Sequence, residues 1–92
     1  EGVMVITMDG VKVEEGMKTL KQLREFGVAV EMYPSLTAKF DKKLKYANKK
    51  GIAFVAILGE SEIQQGKVSL KNMKTGEQVL LGVAELIKKL RS

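Results

Sequence analysis

The chain has 92 residues, 45% of them hydrophobic, enough for one domain with a single small core. Sixteen Lys and Arg against eleven Asp and Glu leave a net charge of +5, which favours a polyanionic partner over an acidic or neutral one. Cysteine and histidine are absent, which excludes disulfides, thiolate and imidazole metal ligands, and the commonest general base.

"VMVITM" at 3–8 is a nearly continuous apolar run before Asp9-Gly10 and predicts a buried strand. From Val13 the period becomes helical, through Met17, Leu20, Leu23 and Phe26. Glu14 and Glu15 open this helix, Lys18, Lys21 and Arg24 follow, and Gly27 closes it, as the helix dipole and a glycine C-terminal cap require. "VAVEMY" at 28–33 predicts a second strand, stopped by Pro34. Leu36, Phe40, Leu44 and Ala47 mark the apolar face of a second helix that ends at Gly51. "IAFVAIL" at 52–58 is the longest apolar run, too short to cross a bilayer and suited to a central strand covered on both faces. "ESEIQQ" makes at most a turn or two of helix. "KVSLK" at 67–71 alternates, "NMKTG" turns, with Gly76 serving the turn, and "EQVLL" at 77–81 returns as a hairpin partner. Val83, Leu86, Ile87 and Leu90 give a last amphipathic helix. The methionines (4, 8, 17, 32 and 73) fall mostly at core-facing positions.

Strands alternating with helices imply parallel strands joined by right-handed crossovers, and the tight turn makes the last pair antiparallel. The expectation is an α/β domain: a mixed sheet with helices on both faces. The chain opens at Glu1 rather than Met and enters a strand almost at once, with no signal-peptide pattern. It reads as residues 1–92 of a longer protein, with that protein's active site elsewhere.

In such a sheet, ligands gather at the carboxyl ends of the strands where the strand order reverses. If the second and third strands flank the first, Asp9-Gly10 and Gly59-Glu60-Ser61-Glu62 face one crevice. Three glutamates, Glu60, Glu62 and Glu77, stand close together in sequence in this basic chain. Paired carboxylates serve acid–base catalysis or Mg²⁺ binding. No nucleophile or phosphate-binding loop accompanies them, and "MDGVK" lacks both glycine fingerprints, so neither a catalytic residue nor a metal ligand is assigned. Recognition is the alternative. The Watson–Crick edge of an unpaired guanine offers two adjacent donors that one glutamate accepts, and sequence-specific RNA readers target such splayed loop bases. The plainer reading makes Glu60 and Glu62 the acidic first turn of a short helix.

Lys39, Lys42, Lys43, Tyr46, Lys49 and Lys50 form one stripe beside the apolar face of the second helix. Such a stripe suits a phosphate backbone, and equally an ordinary solvated helix face. Lys67, Ser69 and Lys71 share one face of the fourth strand, either for solubility or as a second contact surface. Five aromatic residues (Phe26, Tyr33, Phe40, Tyr46, Phe54) are few for a single-strand binder built on stacking.

The run from "LKYANKKG" through "FVAILGESE" and "KNMKTGEQ" to the terminal helix carries a resemblance. "GESE" and the lysine-to-GEQ turn are its specific parts. Over its whole length the chain resembles the C-terminal anticodon-binding domain of class II aminoacyl-tRNA synthetases, most closely the histidyl enzyme. The resemblance implies a three-layer α/β/α fold with a five-stranded sheet of order 2-1-3-4-5 and strand 4 antiparallel. It implies that the chain binds the anticodon stem-loop of a tRNA and is itself non-catalytic, with no cofactor of its own. The parent would be a cytoplasmic homodimer, not membrane-bound, whose separate catalytic domain ligates histidine to its tRNA with ATP and Mg²⁺.

Carried over by motif, Glu62 and Lys71 are expected to contact anticodon bases, with Glu60, Glu77 and Gln78 as motif-only candidates. Lys39, Lys42, Lys43 and Tyr46 are expected on the phosphate backbone. Many relatives have Gln where Lys43 stands, so a base contact there would here become a phosphate contact. The alternatives are the same domain from a threonyl-, prolyl- or glycyl-tRNA synthetase, or an interaction module of a synthetase-like regulatory protein. A free-standing nucleotide-binding enzyme comes last.

Overall fold

A computed structural model describes residues 2–32 and 39–91. The elements run β1 (Val3–Thr7), α1 (Val13–Glu25), β2 (Val30–Met32), α2 (Phe40–Lys50), β3 (Phe54–Leu58), α3 (Glu60–Gln65), β4 (Lys67–Asn72), β5 (Gln78–Gly82) and α4 (Val83–Arg91). The sheet order is β2-β1-β3-β4-β5, with β1 parallel to both β2 and β3, and β4 antiparallel to both neighbours. This is the expected mixed sheet, and its order reverses between β1 and β3.

The apolar runs of β1 and β3 follow from burial on both faces. Val3, Val5, Ala56 and Leu58 join Leu23 of α1, Leu86 of α4, and Val68 and Leu70 of β4 in one cluster. Met4, Ile6, Val55 and Ile57 point the other way and join Ala47 of α2 and Ile52, with Phe40 and Leu44 packed against them. α4 lies on β4 and β5, on the face that carries Val68, Leu70 and Leu81.

Two strands begin later than the sequence predicts, for one reason. The Gly27 and Gly51 N–H groups bond back to Arg24 O and Asn48 O, with positive φ at both glycines. The next residues, Val28 and Ile52, donate to Leu23 O and Ala47 O. Each helix therefore ends in a Schellman motif whose following apolar residue drops into the core. Val28 and Ile52 are core residues that cap helices, not strand residues. Tyr33 and Leu36 lie outside the described residues.

The inward face of α1 also differs from the expected stripe. Met17 and Phe26 are 56% and 53% exposed, while Gly16, Thr19 and Leu23 face inward. Gly16 sets this rotation, because a Cβ there would stand 2.5 Å from Met32 Cε and 2.9 Å from Thr7 Cγ2. The buried Thr19 hydroxyl is satisfied by donating to Glu15 O at 3.3 Å. Of the methionines expected inside, Met8 and Met17 are exposed, whereas Met4 is fully buried.

On the outer edge, Lys50 pairs with Glu31 of β2 at 2.6 Å and lies over the Tyr46 ring. The hydrogen bond to Glu31 raises the Lys50 pKa above the ordinary lysine value, against a smaller desolvation effect. Any stability this adds is present below the unfolded lysine pKa and fades as pH rises through the folded one. Because the pair is exposed, Glu31→Gln is expected to leave the urea midpoint at neutral pH and high salt unchanged within error.

Candidate nucleic-acid interface

β3 ends at Leu58, and Gly59 turns the chain directly into α3. Glu62, the third residue of α3, folds back so that its Oε1 accepts the Gly59 N–H at 2.8 Å. This is one half of a capping box; glycine has no side chain to supply the other half. The Ser69 hydroxyl of β4 donates a long 3.5 Å bond to Glu62 Oε2. The carboxylate is thus held half-buried between the end of β3 and the face of β4, with acceptor capacity left on both oxygens. Gly59 makes room for it, since a Cβ there would stand 2.6 Å from Glu62 Oε1 and 3.0 Å from Met8 Sδ. Sequence reading missed this spatial requirement and the Ser69 contact. The only signal for the contact was that Ser69 alternates with Val68 and Leu70 and so falls on the opposite face.

Register places the other candidates. Ser69 lies opposite Ile57, and Lys71 lies between Val55 and Gln78. Val55 and Ile57 face the α2 side, so Ser69, Lys71, Gln78 and Leu80 share that face. α2 covers β1 there, while α4 covers β4 and β5 from the opposite side. On the α2 side Ser69 is buried, but β5 and the rest of β4 are left as an open strip, with Glu62 at its upper end and Lys71 and Gln78 further along it. Gln78 and Leu80 are exposed and Lys71 partly so.

The three glutamates do not form a cluster. Glu60 is exposed on the first turn of α3, beside the β1 turn, where a Cβ on Gly10 would stand 4.0 Å from its Oε1. The turn after β1 and the first turn of α3 are therefore neighbours. Glu77 belongs to the β4–β5 hairpin at the other end of the strands. Its carbonyl accepts the Asn72 N–H at 2.8 Å, its N–H donates to Thr75 Oγ1, and Asn72 Oδ1 accepts the N–H groups of Lys74 and Thr75. From Asn72 to Lys67 is five strand residues, roughly 16 Å, so Glu77 stands apart from Glu60 and Glu62. Among the described residues no acidic cluster could hold a metal ion, and no helix is long and apolar enough to cross a membrane.

The lysine stripe divides. Lys39, Lys42, Tyr46, Lys49 and Lys50 are exposed, and the Lys50–Glu31 pair turns this flank of α2 toward the β2 edge. The opposite flank, through Asn48, lines a hollow with Asn72, Met73 and Lys74. The stripe and the open strip thus lie on different sides of α2. Lys43 leaves the stripe altogether, which corrects its expected place on the solvated face. It is 5% exposed, and its Nζ donates to Thr7 O at 2.9 Å, with Thr7 Oγ1 at 3.5 Å. It lies one residue past Lys42, on the side of α2 that turns toward Phe40, Leu44 and Ala47.

Residues 2–92 match a protein family described as the anticodon binding domain. The chain is 52% identical over 68 residues to a histidine–tRNA ligase of Phocaeicola vulgatus, covering 74% of this chain and 15% of that protein. The histidyl-tRNA synthetase of Nostoc superposes on 98% of this chain and 21% of its own, with a TM-score of 0.89 and 31% identity. The RNA binding domain of threonyl-tRNA synthetase from Cryptosporidium parvum superposes on 99% of this chain and 23% of its own, with a TM-score of 0.90 and 25% identity. The chain spans less than a quarter of the length of each of these proteins. With this sheet order and nearly the whole sequence matched, the chain belongs to the anticodon-binding-domain family.

Proposed function

We propose that the chain is the anticodon-recognition domain of a histidyl-tRNA synthetase, a C-terminal part of a longer protein. The likeness to histidine enzymes in both sequence and fold carries this reading. The parent would ligate histidine to its tRNA with ATP and Mg²⁺ in a separate catalytic domain, as a cytoplasmic homodimer. This domain would hold the anticodon stem-loop and perform no chemistry.

Glu62 would accept the two adjacent donors of an anticodon guanine, since its carboxylate is held at the mouth of the strip with acceptor capacity to spare. Lys71 and Gln78, further along the strip, would contact neighbouring bases. Glu60, over the β1 turn, and Glu77, in the hairpin, would serve only bases that reach the two ends. Lys39, Lys42 and Tyr46, on the other side of α2 from the strip, would contact only phosphates of the RNA that extend past the α2 end, which position it without reading its sequence.

The test is affinity for stem-loops carrying the histidine, threonine, proline and glycine anticodons. Preference for the histidine loop supports the reading. Preference for the threonine loop would transfer the chain to the threonyl enzyme, whose RNA binding domain superposes equally well. The phosphate role has its own expected result. Replacing Lys39 and Lys42 together by Ala lowers affinity for all loops alike. It also flattens the plot of log affinity against log salt by up to about 1.4 units, since each lysine that neutralises a phosphate of a single strand adds about 0.7. An unchanged slope would remove the stripe from the interface.

A further inference from the structure

Leu80 is a large apolar side chain, 44% exposed, on an otherwise polar strip. It stands opposite Ser69, with Gln78 two residues before it on the same face and Lys71 opposite Gln78. A lone exposed leucine needs no explanation on an ordinary surface. The register makes this one different, because its cross-strand partner is the serine whose hydroxyl donates to Glu62 Oε2. Side chains directly opposite have Cβ atoms about 4.5–5.5 Å apart, so Leu80 lies one strand beyond the serine that holds the carboxylate, on the β5 side.

The β1 side of the carboxylate is occupied. Met8 follows β1, and a Cβ on Gly59 would stand 3.0 Å from Met8 Sδ and 2.6 Å from Glu62 Oε1, so sulfur and carboxylate are close neighbours. A flat group whose edge meets the carboxylate therefore has Met8 on one side and the strip on the other, where buried Ser69 is followed by exposed Leu80.

A base drawn out of a single-stranded loop loses its stacking, and readers of such bases restore it on aromatic side chains. Among the described residues no aromatic side chain lies on this strip. Phe26 caps α1, Tyr46 lies beside Lys50 on the β2 flank of α2, Phe40 packs against the core beneath α2, and Phe54 packs against the cluster on the opposite face.

Resting on the function proposed above, we propose that Leu80 is the stacking surface of the base site: the ring of the base whose edge Glu62 accepts lies against the Leu80 side chain. Glu62 selects the base, and Leu80 holds whichever base enters. The two contributions are separable, because contact with a ring face is indifferent to which base supplies it.

The experiment titrates the 92-residue chain, Leu80→Thr and Leu80→Phe with RNA stem-loops carrying each of the four bases, or an abasic site, at each anticodon position in turn. Threonine removes apolar surface and keeps a strong strand former, whereas phenylalanine enlarges the surface. Leu80→Thr is expected to weaken binding about fivefold whichever base is present and to leave the guanine preference intact. The loss should vanish when one position is abasic, the position at which Glu62→Gln abolishes the preference, and persist when any other is abasic. Such non-additivity marks two partners in one contact. Leu80→Phe should tighten binding to the same loops and lose that advantage at the same abasic site. Both variants should melt near the temperature of the parent chain, because the side chain is exposed.

A loss that persists with every abasic loop would overturn the proposal, as would a lowered melting temperature in Leu80→Thr, which would make Leu80 part of the sheet packing. Loss of the guanine preference in Leu80→Thr would also overturn it, placing Leu80 behind Glu62 rather than against the base. If the free chain sediments as a dimer and Leu80→Thr makes it monomeric with RNA binding unchanged, Leu80 belongs to a contact between copies. Failure of the parent chain to bind any loop would remove the underlying function and this inference with it. Parent binding with a Glu62-dependent preference and no effect of Leu80→Thr would remove this inference alone.

Discussion

Glu62→Gln is expected to abolish the preference for guanine while leaving α3 folded. The amide oxygen of Gln can still accept the Gly59 N–H, as either Glu or Gln serves at this position of a capping box. What changes is the outward side, where a carboxylate accepting two donors becomes an amide that presents its own NH₂ to the guanine donors. One good bidentate pair is worth about 1–3 kcal/mol of discrimination, so the ratio of affinities for guanine and substituted loops should fall by roughly 10- to 100-fold. Glu62→Ala should lose the same discrimination and also about 1 kcal/mol of stability, because it removes the cap. The pair of variants therefore separates reading from folding. Stem-loop titrations beside urea melts measure both, and intact discrimination in Glu62→Gln would return Glu62 to a helix-start residue.

Gly59→Ala tests the same site from beneath. The Gly59 backbone, at φ −107°, suits any residue, so conformational strain plays no part. The added Cβ instead meets the Glu62 carboxylate at 2.6 Å and the Met8 sulfur at 3.0 Å. The carboxylate must swing away, which breaks its bond to the Gly59 N–H, and Met8 must give. Loss of the cap and crowding together are expected to cost about 1–3 kcal/mol, or roughly 5–20 °C in melting temperature for a domain of this size. Guanine discrimination should fall with it, although no RNA-contacting group has been changed. Normal melting and normal discrimination would show that Glu62 can read RNA from another rotamer.

Periodicity and turn chemistry reveal the element order, the parallel crossovers and the hairpin, because each of these is a local property. The double burial of β1 and β3 is legible for the same reason, since their apolar runs do not alternate. Three features are not legible. Val28 and Ile52 read as strand residues because an apolar residue after glycine looks the same whether it pairs in a sheet or caps a helix. Met17 and Phe26 read as core because Gly16, the residue that brings α1 down on Thr7 and Met32, is counted as neutral in any apolar pattern. Lys43 reads as surface because a lysine between Lys42 and Leu44 is assigned by composition. Only its tertiary hydrogen bond to the Thr7 carbonyl shows that it turns inward.

For the site, the closeness of the β1 turn to the first turn of α3 at the β1–β3 reversal is legible from topology. The separation of Glu77 from Glu60 is not, because closeness in sequence says nothing about which end of a hairpin a residue occupies.

β4 and β5 have a consequence for how the interface is made. β3, β4 and β5 are consecutive antiparallel strands from Phe54 to Gly82, with α3 joining the first two, and Gly59, Glu62, Ser69, Lys71 and Gln78 all lie within that stretch of chain. Its pairings join near neighbours in the chain, whereas the β1–β3 pairing, Val3 to Phe54, closes a loop of some fifty residues. Loop-closure entropy makes the first kind quick to form and the second slow. The surface proposed to read the anticodon is thus assembled from pairings of low sequence separation, and the long-range core of the domain serves as the platform beneath it.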